Sequence, residues 1–135
     1  MKQYVTDTQC LIWHLADDER RMPPRARAAF RAAENGTAQI LVPTIVVAES
    51  MLLSERRRIP VFILDQMMAL PDTSSAALRV IPLDRLVVHT MADFGPAVVP
   101  ELPDRIIAAT ARALNLPLLT TDPAIVECGL VKIAA

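Results

Sequence analysis

Four acidic residues, Asp7, Glu49, Asp104 and Asp122, are the side chains of this sequence best placed to do chemistry together. Each stands where the sequence marks the start or end of an element. Asp7 follows the short strand signal Tyr4-Val5-Thr6, and Asp122 follows the apolar run Leu116-Pro117-Leu118-Leu119-Thr120-Thr121. Glu49 lies in the apolar helix after Gln39-Ile40-Leu41-Val42, and Asp104 opens a helix over Arg105–Leu114. Open α/β sheets build their sites outside the carboxyl ends of their strands. Carboxylates gathered there repel one another unless protons or a cation compensate. Hard divalent cations, Mg2+ or Mn2+, prefer such oxygen donors. The pattern therefore points to a metal-dependent phosphoryl-transfer site.

Taken singly, each acid has an ordinary role. Asp7 and Asp104 can cap helices, and Asp122 can start a turn at Asp122-Pro123. With fifteen acids in the chain, solvated positions are the rule. The company of the four weighs against that reading. Glu49 is flanked by Val46, Val47, Ala48, Met51, Leu52 and Leu53, and a carboxylate in so apolar a helix needs a partner or a metal. Asp122 ends the most hydrophobic strand signal in the sequence.

The elements that position these acids read as alternating strands and helices, the pattern of βαβ units around a parallel sheet. Strands are expected at Gln3–Thr6, Gln39–Val42, Leu78–Ile81, Pro117–Thr120 and Leu130–Ile133, the last an edge strand because it carries Lys132. Helices are expected at Thr8–Ala16, at Pro23–Asn35 with a stop at Asn35-Gly36, at Ile45–Arg56 behind a Thr44 cap, and at Val61–Leu70. Two more should run over Arg85–Asp93, capped by Asp84, and Arg105–Leu114, capped by Asp104. A rise of about 1.5 Å per residue keeps Glu49 within about one and a half turns of Thr44, near the strand ends.

A length of 135 residues suggests one domain over 1–135. Hydrophobic residues make up 53%, enough for a packed core, but aromatics only 4%, so that core must be aliphatic. The formal net charge of -1 neither implies nor excludes a polyanionic partner. Cys10 and Cys128 match no metal-ligand spacing and read as thiols in a reducing compartment. The start Met1-Lys2-Gln3-Tyr4 carries no leader-like apolar stretch, and no apolar run reaches the roughly 18 residues of a membrane helix. A soluble cytoplasmic protein without a membrane association is expected.

Four stretches together resemble the motifs of PIN domains. Val5-Thr6-Asp7-Thr8-Gln9-Cys10-Leu11-Ile12-Trp13 resembles the opening strand and helix, and Val42-Pro43-Thr44-Ile45-Val46-Val47-Ala48-Glu49 the second motif. Pro103-Asp104-Arg105-Ile106-Ile107-Ala108-Ala109-Thr110-Ala111 resembles the third, and Leu118-Leu119-Thr120-Thr121-Asp122 the fourth. Order and spacing fit over essentially the whole chain. The length and the Asp-Thr…Trp opening look most like the VapC-type toxins of type II toxin–antitoxin systems.

The resemblance implies a three-layer α/β/α fold with a central, mainly parallel sheet of about five strands. It implies a metal-dependent endoribonuclease that leaves 5′-phosphate and 3′-hydroxyl ends. Asp7 and Asp104 would be the principal Mg2+ or Mn2+ ligands, completed by Glu49 and Asp122 directly or through water. Thr120 matches the family's hydroxyl residue two before the last acid, where it would bond a carboxylate or water; its other reading is a β-branched strand residue. A small antitoxin whose C-terminal segment reaches the acidic site, and a homodimer, are the implied partners beside the RNA substrate. Met51, Met67 and Met68 suit an adaptable apolar surface or a core.

Other residues keep two readings. Glu101 is a fifth site acid or a solvated loop acid, and Arg105 contacts phosphate or pairs with a neighbouring acid. Arg20, Arg21, Arg25, Arg27 and Arg31, and the run Arg56-Arg57-Arg58, track a phosphate backbone or coat solvated helices. His14 and His89 read as structural or surface residues, and Trp13 as core or interface. An aspartyl-nucleophile phosphatase would need a second Asp where Gln9 stands. A phospho-receiver domain would need an acid pair at the first strand, which has only Asp7. The remaining competitor is a non-catalytic PIN-like module that binds RNA or protein, and loss of site acids would mark it.

Overall fold

Branched and apolar side chains in short runs make the strands of this protein, and punctuation by Pro, Asn and Gly ends its helices. The computed structural model describes residues 1–134. The strands are β1 (Lys2–Thr6), β2 (Ala38–Pro43), β3 (Leu78–Ile81) and β4 (Leu118–Leu119). They form one parallel sheet in the order β3-β2-β1-β4. Tyr4 pairs with Ile40 and Val5 with Leu41, while Val5 and Thr6 pair with Leu118 and Leu119 on the other side. Every residue of β2 is buried, as a central parallel strand demands. Its one polar residue, Gln39, is fully engaged: it accepts from Gln3 Nε2 and donates to the carbonyls of Ser74 and Ala76.

The helices are α1 (Thr8–Leu15), α2 (Pro24–Glu34), α3 (Thr44–Glu55), α4 (Val61–Met68), α5 (Arg85–Thr90), α6 (Gly95–Val98), α7 (Leu102–Leu114) and α8 (Pro123–Cys128). Asn35-Gly36 ends α2, with Gly36 at φ +77°. Asn115 closes α7 in the left-handed region at φ 55°, just ahead of Pro117. The chain steps from β1 to β2 to β3 in one direction, then returns past both to place β4 beside β1. Right-handed crossovers make α1–α4 and α5–α7 cover opposite faces, giving three layers. Phe30, Phe94, Leu11, Ile40, Ile63, Ile107, Leu118, Leu119 and Ile125 fill the core. No helix among the described residues is long and apolar enough to cross a membrane.

The expected fifth strand is a correction. Leu130–Ile133 contributes only one bridge, Ile133 with Leu118, closed by Leu118 N to Lys132 O at 2.8 Å and Ala134 N to Leu118 O at 2.9 Å. Its neighbour β4 is too short to pair further. Pro117 has no N–H, and beyond Leu119 the chain turns into the cap of α8. Two helix starts also differ. Asp104 lies inside the first turn of α7, behind Glu101 and Pro103, rather than capping it. Thr44 is the first residue of α3, and its hydroxyl donates to Ile81 O at 2.6 Å, tying the helix to β3.

Candidate functional site

Order reverses between β1 and β4, so the crevice at their carboxyl ends is the topological switch point of the sheet. Asp7 leaves β1 there and Asp122 leaves β4. α3 and α7 pack against each other beside it, which brings Glu49 and Asp104 to the same place. All four acids line one open depression of about 330 Å3, together with Thr8, Gln9, Leu53, Thr121 and Pro123. No Lys or Arg lines it.

The local roles of the acids explain how they are held. Asp7 caps α1: its Oδ1 accepts from Cys10 N at 2.8 Å, and its Oδ2 accepts from Thr120 Oγ1 at 2.6 Å. Asp122 caps α8: its Oδ1 accepts from Ala124 N at 2.9 Å and Ile125 N at 3.2 Å. Asp7 and Asp122 are therefore helix caps that also line the depression. Asp104 sits in the first turn of α7, where the helix dipole favours a negative charge. Glu49 is half-buried, because the apolar helix around it is itself partly exposed at Ala48, Met51 and Leu52. Its oxygen Oε1 accepts a hydrogen bond from Thr8 Oγ1.

The electrostatics follow from this crowding. Burial pushes the Asp7 carboxyl above the usual carboxylate range, against the lowering effect of its hydrogen bonds from Thr120 and Cys10. Asp104 is pushed up to about 7, first by burial and then by the negative charges of Asp122, Glu49 and Asp7. Its nearest charged influences are thus all of its own sign.

Other expectations resolve individually. Thr120 is fully buried, and its hydroxyl both donates to Asp7 and accepts from Asp122 N at 3.1 Å. Glu101 is exposed and outside the lining of the depression. Arg105 forms no ion pair with an acid among the described residues; its Nε and Nη2 both donate to Met91 O, at 3.1 and 2.9 Å. Arg21 pairs with Asp18 and lies over the Trp13 ring, while Arg31 meets Glu19 at 3.3 Å. Arg56, Arg57 and Arg58 are exposed beyond the end of α3. Met67 is core, whereas Met51 and Met68 are exposed.

Among the described residues, the three ligand-type side chains whose donor atoms approach most closely, within 4.8 Å of one another, are His14, Glu19 and Glu34. The four acids of the depression are spread more widely. His14 stacks on Phe30 at 4.4 Å, and burial lowers its pKa against the raising effect of Glu34, Glu19 and Asp17. Arg31 supplies the positive charge facing Glu19. We read this cluster as structural.

Sequence reasoning missed Thr8 and helix α8. The Thr directly after a capping Asp was the available signal for the first. Pro123 at the start of a short apolar stretch was the signal for the second.

A PIN domain model matches residues 4–129. The chain belongs to the PIN-domain family. No curated protein matches it. Solved structures share the PIN fold at low identity. DNA-bound VapBC from Salmonella typhimurium is 16% identical with a TM-score of 0.70, covering 98% of this chain and 97% of that one. VapC20 of Mycobacterium tuberculosis, a Sarcin-Ricin loop cleaving toxin, is 15% identical with a TM-score of 0.68 over 98% and 99%. VapBC2 from Rickettsia felis, bound to a promoter DNA fragment, is 16% identical with a TM-score of 0.66 over 97% and 96%. In this PIN domain the switch-point crevice is the acidic depression.

Proposed function

We propose that this PIN domain is a metal-dependent endoribonuclease, the toxin of a type II toxin–antitoxin pair, that hydrolyses RNA phosphodiester bonds. The observation that carries the reading is the depression itself: four carboxylates, no basic side chain, and Asp104 raised to about 7 by burial and acidic neighbours. Such a donor set of hard oxygens suits Mg2+ or Mn2+. Asp7 and Asp104 would hold the cation, with Glu49 and Asp122 completing the site. When bound, it would neutralise the scissile phosphate and lower the pKa of the attacking water. The protein's own contribution is to hold these carboxylates in place. Backbone N–H groups of α1 and α8 fix one oxygen each of Asp7 and Asp122, and the Thr120 hydroxyl ties the two residues together.

VapBC complexes among the fold neighbours support an antitoxin partner. The surface supports it too. Met51, Leu52, Val61, Phe62 and Met68 are exposed on α3 and α4, beginning one residue from Leu53, which lines the depression. Exposed apolar side chains on two packed helices, one of which also supplies Glu49 and Leu53 to the acidic depression, suit a short segment that is apolar along its length and basic at its end.

The test is cleavage of total cellular RNA by the purified protein with Mg2+, Mn2+ or EDTA, beside Asp7→Asn and Asp104→Asn. Metal-dependent cutting that both substitutions abolish supports the reading. No cutting by a folded, metal-binding wild type shifts the weight to a non-catalytic module. Co-expression with the small reading frame next to the gene should suppress both growth arrest and cleavage.

A further inference from the structure

At the acidic depression a single side-chain hydrogen bond joins α1 to α3, from Thr8 Oγ1 to Glu49 Oε1, across 41 residues of sequence. Thr8 is the first residue of α1, follows Asp7 directly and is 7% exposed, so its hydroxyl has a fixed origin and little access to water. Glu49 has no other protein donor among the described residues, and no Lys or Arg forms an ion pair with it. Its helix does not fix it by burial either, because Ala48, Met51 and Leu52 around it are exposed. A flexible carboxylate in such a place needs something to set its rotamer.

We propose that Thr8 is a positioning residue for Glu49: its hydroxyl holds Oε1 and leaves Oε2 free of protein donors and available to the depression. Thr8 does for Glu49 what Thr120 does for Asp7, and a neutral donor performs this without cancelling the negative charge that would attract a cation. Asp7 and Thr8 thus link the first strand to two of the four acids. The proposal rests on the reading of Glu49 as part of a divalent-cation site.

The test is Mn2+ binding to the full chain, measured by calorimetry at constant pH. The proteins are wild type, Thr8→Val, Thr8→Ala, Thr8→Ser, Glu49→Gln and the double variant Thr8→Val/Glu49→Gln. Residues that orient a metal ligand typically change affinity by about 10–100-fold. We expect losses of about 10-fold or more for Thr8→Val, Thr8→Ala and Glu49→Gln. Thr8→Ser, which keeps the hydroxyl, should recover binding to within about threefold of wild type. The double variant should bind no more than about twofold more weakly than Glu49→Gln, because residues acting through one another are not additive. Wild-type affinity in folded Thr8→Val or Thr8→Ala overturns the proposal. So does an undiminished effect of Thr8→Val on the Glu49→Gln background, or failure of Thr8→Ser to recover. If Glu49→Gln itself binds Mn2+ normally, the assignment of Glu49 to the cation site fails first, and the role of Thr8 fails with it.

Discussion

Thr120 and Asp7 lie 113 residues apart in sequence and meet through one buried hydrogen bond, Thr120 Oγ1 to Asp7 Oδ2 at 2.6 Å. The same hydroxyl oxygen accepts from Asp122 N at 3.1 Å. One side chain therefore fixes the orientation of the acid at the end of β1 and the backbone of the acid after β4.

Thr120→Val should show both halves of this arrangement. Valine keeps the shape but removes donor and acceptor. Leaving the Asp122 N–H without its partner should cost about 1–3 kcal/mol in urea unfolding. RNA cleavage should fall about 10–100-fold, as expected when a group orienting a ligand is lost. Thr120→Ser should restore most of both. Unchanged cleavage in a destabilised Thr120→Val protein would separate the fold from the chemistry and remove Thr120 from the site.

Asp104 predicts an inverted pH dependence. Its carboxyl, at about 7 in the folded protein and near the ordinary carboxylate value when unfolded, binds a proton more tightly in the fold. The contribution of Asp104 to the stability of the metal-free protein should be fully present below the ordinary carboxylate value, be lost as pH rises toward about 7, and level off above it. Asp7, also raised by burial, acts in the same direction. At pH 8 without metal, thermal unfolding of Asp104→Asn should therefore occur at a higher temperature than wild type. Mn2+ affinity of the wild type should rise with pH up to about 7, with proton release visible as a buffer-dependent calorimetric heat. A flat affinity between pH 5 and pH 8 contradicts this.

Arg105 should behave as a scaffold residue. Its two N–H groups converge on the Met91 carbonyl and tie α7 to the turn after α5. Arg105→Ala should cost about 1.5–3 kcal/mol in unfolding free energy. The salt dependence of RNA binding should stay at its wild-type slope, since no phosphate contact is removed. A shallower slope would return Arg105 to the phosphate-contacting role.

Phe62→Asp separates partner binding from folding. Phe62 is 57% exposed on α4, so its replacement should change stability by no more than about 0.5 kcal/mol. If the proposed antitoxin docks on this face, pull-down of a candidate antitoxin by Phe62→Asp should be lost, and its co-expression should no longer suppress the growth arrest that the proposal expects. Retained suppression would place the antitoxin elsewhere.

The sequence made the architecture legible wherever one segment decided its own structure. The runs at Gln39–Val42 and Pro117–Thr120 are apolar enough to read as buried strands, and Asn35-Gly36 stops its helix through backbone geometry alone. Asp84 caps α5 as expected, with Val87 N donating to its carboxylate at 2.9 Å. Asp7, Asp104 and Asp122 could be chosen because they lie at or within a turn of an element's end, where a parallel sheet must place its chemistry, and Glu49 because it is a carboxylate within an apolar helix near the strand ends. Expectations that depended on a neighbour were less secure. The fifth strand shrank to one bridge because β4 offers only two residues to pair with, a fact about its partner rather than about Leu130–Ile133.

Sequence alone thus determined the strand–helix alternation, the caps at Asp7 and Asp84 and the ends of the strong helices, because propensity, capping and apolar patterning act within a few residues. Only the tertiary structure decided that β4 joins β1, that Thr120 bonds Asp7 and Thr8 bonds Glu49, and that Arg105 is spent on Met91. Those choices join residues 14 to 113 positions apart. The shift of Asp104 belongs to the same class: desolvation and like-charge repulsion depend on which groups packing brings near, and no local pattern encodes them.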